Sequence, residues 1–249
     1  MNITANGLVL SEVAVRDNDK ILTILMEGIG KISAGARGAK RMKSPLMPIA
    51  QPFVYASFNL YSKGDKYYID GGEQLASFYE LRGDLVKLAL ASYVTELARI
   101  VTEENNPDDE VLRLSLNTLY ALCKLKKEPA LIKAAFELRL MSICGYLPEL
   151  SGCAACGREQ GPFCFDFAEC GLLCQACAPH AVGPLGSAPL SEGTLAAMRY
   201  VLAAPANRVF SFQLDARGVA EMGAITERYL IQQIDREPRA LTFYRQYTL

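Results

Sequence analysis

The stretch Phe53-Val54-Tyr55-Ala56-Ser57-Phe58-Asn59-Leu60-Tyr61 decides the reading of the fold. It is dense in aromatic and β-branched residues, which suit a pleated, half-buried surface. Ser62-Lys63-Gly64-Asp65 breaks the run as a turn, and Tyr67-Tyr68-Ile69 begins another strand. Toward the N-terminus, Gly7-Leu8-Val9-Leu10 and Ile21-Leu22-Thr23-Ile24-Leu25 read as short strands about a turn at Asp17-Asn18-Asp19. Gly28-Ile29-Gly30 marks a further boundary. About five strands in about eighty residues fit a small closed barrel such as the OB-fold, with a small sandwich as the alternative.

Beyond Leu81 the apolar period becomes helical. Asp84 is placed to cap a helix carrying Leu90, Val94, Leu97 and Val101 on one face. In Asn106-Pro107-Asp108-Asp109-Glu110, Asn106 caps, Pro107 takes the first-turn position and the acids meet the positive end of the helix dipole. That helix presents Leu112, Leu116, Leu119 and Cys123 and runs out among Lys124, Lys126 and Lys127. A third follows Pro129 and stops at Gly145-Tyr146-Leu147-Pro148, and residues 192–203 and 216–236 are helical again. Their close connections predict a single bundle. The expected organisation is α+β: an OB-fold β-barrel over residues 1–80, then an α-helical domain over 81–249 with an insertion at 151–179.

That insertion holds Cys153-x-x-Cys156 and Cys174-x-x-Cys177. Two such knuckles at this separation match a Cys₄ zinc site, because each turns tightly enough for both sulfurs to meet one ion. Four thiolates close the tetrahedron and leave no place for water, so one zinc with a structural role is expected. A redox Cys-x-x-Cys would need a neighbouring βαβ pattern, which is absent. Cys164 and Cys170 fall in the intervening hairpin, Phe163 to Leu173, as packing residues. His180, the one histidine, is a possible substitute ligand, but four thiolates already suffice. Cys123 and Cys144 lie on helices and read as core.

The chain has 249 residues, of which 51% are hydrophobic and 21% charged. That balance supports a packed core and excludes general disorder. The longest apolar stretch, Leu85 to Val101, is interrupted by Lys87, Glu96 and Arg99, so no membrane span is expected. Met1-Asn2-Ile3-Thr4 lacks the features of a secretory signal, and the expected location is the cytoplasm, where the eight cysteines would be reduced.

A net charge of −1 gives no hint of a polyanionic partner, but the distribution does. Residues 28–64 contain Lys31, Arg37, Lys40, Arg41, Lys43 and Lys63 and no acid, whereas Glu103-Glu104 and Asp108-Asp109-Glu110 come later. Such asymmetry points to nucleic acid, against the plainer reading of a solvated basic loop. Arg37-Gly38-Ala39-Lys40-Arg41-Met42-Lys43 lies between strands, near Phe53, Tyr55 and Tyr61. Phosphates bind through counterion release and bases stack on rings, so this mixture suits single strands. Any one of these aromatics is more simply a core residue.

The absences are informative too. Gly28-Ile29-Gly30-Lys31 resembles only the end of a P-loop, and one histidine leaves little for acid–base chemistry. No nucleophile and base converge in the sequence; catalytic residues are expected to be none, and the protein is expected not to be an enzyme.

The sequence as a whole resembles the bacterial RecO family of DNA repair proteins. The resemblance is carried by Gly7-Leu8-Val9-Leu10, Asp19 to Leu25, Gly30-Lys31, Arg37-Gly38-Ala39-Lys40-Arg41, Lys43-Ser44 and Gln51-Pro52-Phe53. It continues through Gly145-Tyr146-Leu147-Pro148-Glu149-Leu150, Cys153-Ala154-Ala155-Cys156-Gly157 and Gly171-Leu172-Leu173-Cys174-x-x-Cys177, and is weakest after Ala178. It implies an N-terminal OB-fold, a helical domain and a zinc-finger-like insertion. It also implies a recombination mediator that binds single- and double-stranded DNA, anneals complementary strands, and works with RecR on DNA coated by the single-strand-binding protein SSB so that RecA can load. Such a protein would be cytoplasmic and nucleoid-associated, with no membrane partner. By position Arg37, Lys40, Arg41 and Lys43 would contact DNA, and Cys153, Cys156, Cys174 and Cys177 would hold zinc; with Lys31 of the same acid-free run, the expected nucleic-acid-binding set is Lys31, Arg37, Lys40, Arg41 and Lys43. One departure is Cys170, where the family often has a second glycine before Gly171. The competing class is a zinc-containing transcription or RNA-binding factor that reads a specific sequence.

Overall fold

A computed structural model describes residues 2–15, 17–64, 66–180 and 186–248. Five strands, β1 (Asn2–Val15), β2 (Asp19–Met26), β3 (Gly30–Ala36), β4 (Val54–Lys63) and β5 (Lys66–Ser77), close a barrel in the order β1-β2-β3-β5-β4. All pairings are antiparallel except β3 with β5. This is the five-stranded OB-type barrel, and the sandwich alternative falls away. Asp65, the last residue of the expected β4–β5 turn, lies outside the described residues.

Period-two alternation fills the barrel. Val9, Leu22, Ile24, Ile32, Ala34, Val54, Phe58 and Leu60 point inward and are buried together. Part of the outer surface is apolar as well: Leu8 and Leu25 are opposite each other across β1 and β2, and both are fully buried. Two helices supply the cover that these residues need. α1 (Leu85–Val101) packs on β1, and α2 (Asp109–Lys124) packs on β1 and β2.

The cap of α1 is as expected, with Asp84 accepting from the amides of Val86 and Lys87. The start of α2 is two residues later than expected. Asp108, not Asn106, accepts from the Val111 amide, and Pro107 therefore precedes the helix instead of occupying its first turn. Loss of such a cap costs about 1 kcal/mol.

The helices do not form one bundle. Two compact units divide the chain: Met1–Leu125 with Pro238–Leu249, and Lys126–Glu237. The grouping departs from a cut at residue 80 because α1 and α2 cover the barrel's apolar outer strands. α6 (Arg239–Gln246) belongs to the first unit, where it packs on α1. Its cap is borrowed: the Glu96 carboxylate accepts from the amides of Arg239 and Ala240.

In the second unit α3 (Pro129–Ile143), α4 (Glu192–Ala203) and α5 (Ala216–Ile234) pack together. Buried Lys133 bridges Glu137 and Glu227, each at 2.7 Å, and so ties α3 to α5. The same unit contains a four-stranded sheet of β6 (Glu149–Cys153), β7 (Phe163–Asp166), β8 (Gly171–Cys174) and β9 (Ser187–Leu190), in the order β6-β8-β7-β9. The insertion thus extends past residue 179, since β9 pairs with β7. No helix among the described residues is long and apolar enough to cross a membrane.

Candidate nucleic-acid interface and metal centre

The basic segment 37–43 begins where β3 ends and is held to the β1–β2 turn. The Gly38 amide donates to Asp19 Oδ1 at 2.8 Å, and the Lys40 amide donates to the Asn18 carbonyl at 3.1 Å. Gly38 has φ +67, a left-handed conformation that costs glycine nothing. Ala39 is buried and anchors the loop, while Arg37, Lys40, Arg41, Met42 and Lys43 are exposed. A small apolar anchor with fixed backbone bonds therefore holds four cations in water, where they remain available to a polyanion.

Lys31 is placed differently. It lies opposite Leu25, on the helix-covered side of the barrel. Its Nζ donates to the Arg99 carbonyl at 2.8 Å and to the Thr102 carbonyl, at the C-terminal end of α1. A cation there satisfies carbonyls that the helix leaves without partners. Burial lowers the Lys31 pKa, against the opposing pull of Glu104.

The aromatics separate in the same way. Phe53 is buried. Tyr55 lies opposite Leu8, and burial, with Glu27 and Asp109 nearby, raises its pKa. Tyr61 is half-buried on the outer face of β4 and stacks on Tyr68 of β5, with centroids 5.2 Å apart and an interplanar angle of 18°. The Arg37 guanidinium lies 4.8 Å from the Tyr68 centroid, a cation–π distance. Tyr68 alternates with core-facing Ile69 and so lies on the outer face of β5. Lys66 lies opposite Lys63 across the β4–β5 hairpin, and both are exposed.

The four expected ligands converge. The sulfurs of Cys153, Cys156, Cys174 and Cys177 all lie within 4.8 Å of one another. Cys156 and Cys174 are 3.8 Å apart, close to the edge of a tetrahedron with metal–sulfur bonds of about 2.3 Å. Local backbone explains the shape. The Gly157 amide bonds the Cys153 carbonyl with φ +73 at Gly157, and the Cys177 amide bonds the Cys174 carbonyl. The Cys174 amide also donates to Cys153 Sγ at 3.3 Å.

The thiols divide in acidity. Burial works against ionisation of Cys153, but amides of Cys174, Cys156 and Ala155 outweigh it and bring the thiol to about 6. Cys177, hydrogen-bonded to Cys174 and Cys156, is pushed up to about 12. Such a set shares its protons and gives them up to a cation. Four soft donors in this geometry could hold a metal ion and fit zinc.

Cys164 and Cys170 stay outside the cluster. Cys164 Sγ faces the Leu173 carbonyl, and Cys170 Sγ faces the Phe167 carbonyl and Gln233. Cys170 has φ +51, a left-handed conformation that favours glycine over a side chain-bearing residue. The His180 side chain lies outside the described residues.

Comparison with known proteins agrees with this architecture. The family model described as Recombination protein O N terminal matches residues 1–78, and the one described as Recombination protein O C terminal matches residues 82–242. The DNA repair protein RecO of Acetivibrio thermocellus is 34% identical, over 98% of this chain and 96% of its own. That of Alkaliphilus metalliredigens is 31% identical over 95% of each. That of Bacillus pumilus is 36% identical over 71% of this chain and 69% of its own.

Proposed function

The chain belongs to the RecO family of DNA repair proteins, and from that premise we propose that it is a non-enzymatic recombination mediator. It binds single- and double-stranded DNA, anneals complementary strands, and acts with RecR to load RecA onto single strands coated with SSB. The observation that carries this reading is the exposed quartet Arg37, Lys40, Arg41 and Lys43 on a loop fixed to the barrel. Annealing requires only that two polyanions be neutralised and held together, which such a loop can do without a reacting group. In OB-folds the face of strands 2 and 3 and the β1–β2 and β4–β5 loops bind oligonucleotides, and the 37–43 loop is bonded to the β1–β2 turn. Lys31 drops out of the DNA-binding set because its ammonium is engaged at the end of α1.

The ion at the Cys₄ cluster is one zinc with a structural role. It fixes the β6–β9 sheet, and no step of annealing passes through it. The working location is the cytoplasm, at the nucleoid.

The test is annealing of complementary strands precoated with SSB, with and without the protein. Faster annealing without nucleotide supports the mediator. No acceleration, or acceleration confined to one sequence, would favour a sequence-specific factor instead.

A further inference from the structure

The connection between β3 and β4, residues 37–53, contains neither strand nor helix, and its two halves are held differently. In the second half Leu46, Ile49 and Ala50 are buried in the barrel core, and the Phe53 amide donates to the Val9 carbonyl at 3.1 Å. Lys20 Nζ, paired with Glu12 at 2.6 Å, also donates to the Ala50 carbonyl at 3.0 Å. The basic half, residues 37–43, has much less to hold it. Ala39 is its one buried residue, and Gly38 and Lys40 bond to the β1–β2 turn. Among the described residues, Asp19 is the only side chain outside this segment that hydrogen-bonds to it.

That side chain carries the wrong charge for a polyanion's path. A carboxylate bonded between Arg37 and Lys40 repels every phosphate that those cations attract. Its geometry gives it another use. Gly38 lies past the last β2–β3 pair, Lys20 with Ala36, so its amide has no ladder partner and needs an acceptor. A charged acceptor makes the stronger bond. The chain then turns left-handed at Gly38, and the Arg41 amide bonds the Gly38 carbonyl at 3.0 Å. Fixing Gly38 therefore fixes the turn that presents the cations.

We propose that Asp19 is the positioning residue of the DNA-binding loop. It meets no phosphate; it holds Gly38, and through that turn it sets Arg37, Lys40, Arg41 and Lys43 in place before DNA arrives. The inference rests on the DNA-binding reading above and adds how the loop is made ready. A loop ordered beforehand has less freedom to lose on binding, so the gain is entropic and leaves the number of phosphates met unchanged. Charge and positioning thus act in opposite directions at this one residue, which permits a test by sign.

The experiment measures oligonucleotide affinity of the full chain across a range of salt, for the wild type, Asp17→Asn, Asp19→Asn and Asp19→Ala, with melts to establish folding. Asp17 is exposed in the same turn and, among the described residues, bonds to none of the loop, so Asp17→Asn reports the loss of charge alone and is expected to bind slightly tighter. Asp19→Asn keeps an acceptor for Gly38 and is expected to bind at least as tightly as the wild type. Asp19→Ala is expected to bind about tenfold more weakly, the ordering cost of about one residue, with an unchanged slope of log affinity against log salt. Where Arg37, Lys40, Arg41 and Lys43 are all replaced by Ala, adding Asp19→Ala is expected to change affinity no further. Without DNA, trypsin is expected to cut after these four residues faster in Asp19→Ala than in Asp19→Asn.

Equal affinity and equal cleavage in Asp19→Ala and Asp19→Asn would overturn the positioning role, as would the same loss of affinity in the absence of the four cations. A wild-type protein that binds no oligonucleotide would instead overturn the DNA-binding reading on which the role depends.

Discussion

Tyr68 lies against Gly35 at a separation that no side chain on β3 would permit. A Cβ at Gly35 would meet Tyr68 Cδ1 at 2.9 Å, and that atom sits near the fixed base of the ring. The glycine is therefore what lets the Tyr61–Tyr68 stack lie on the barrel beside Arg37. Gly35→Val should displace the ring at a cost of about 1–3 kcal/mol, by the logic of overpacking. Denaturant melts would report that cost. An unchanged melt would mean the ring moves freely.

A second close approach fixes the barrel to its helices. Gly30 has φ +94, and a Cβ there would fall 2.0 Å from the Asn106 carbonyl oxygen. Gly30→Ala combines an unfavourable backbone with a backbone clash and should cost more than about 2 kcal/mol. Neighbouring Lys31→Met should be milder, removing contacts to the end of α1 while leaving the salt dependence of DNA binding as it is. A flattened salt dependence in Lys31→Met would return that residue to the DNA-binding set.

Metal removal should act locally. Cys153→Ser is expected to abolish stoichiometric zinc and loosen the β6–β9 sheet, because binding energy at such a site is folding energy. Metal analysis and proteolysis between residues 149 and 190 would read this out, while oligonucleotide binding by the barrel persists. Retained zinc would show that the ligand set is wrong.

Acid should find a weak point at Glu221. Burial works against its charge, but the Ser191 and Thr194 hydroxyls and the Ser191 amide bond its carboxylate at the start of α4 and lower its pKa. The stabilisation is therefore full above the unfolded value of about 4.5 and fades as pH falls through the lower folded value. Glu221→Gln should cost about 1–3 kcal/mol at neutral pH, and the gap from wild type should narrow as pH falls below the unfolded value and through the lower folded one. A gap that stays constant with pH would contradict the assignment.

The barrel was legible because aromatic and β-branched residues mark β4 and β2 strongly. β3 was harder: Gly30-Lys31-Ile32-Ser33-Ala34-Gly35-Ala36 is built of small residues that follow from packing constraints, Gly30 against Asn106 and Gly35 against Tyr68. The metal knuckles were readable because ligand spacing is local. The true cap of α2 was hidden because Asn106 and Asp108 are equally good caps by composition, and tertiary contact of Gly30 with Asn106 decides between them. β9 and α6 are short and lack a clear period. Lys31 belonged to an acid-free run, but charge in sequence does not reveal which face of a strand a residue occupies.

The most direct test of the central claim is the salt dependence of oligonucleotide binding by the wild type and by a variant with Arg37, Lys40, Arg41 and Lys43 replaced by Ala. The variant should bind more weakly to every sequence, and its slope of log affinity against log salt should be shallower by about one for each lost phosphate contact. Identical affinity and slope for the two proteins would contradict the account and place the DNA elsewhere on the molecule.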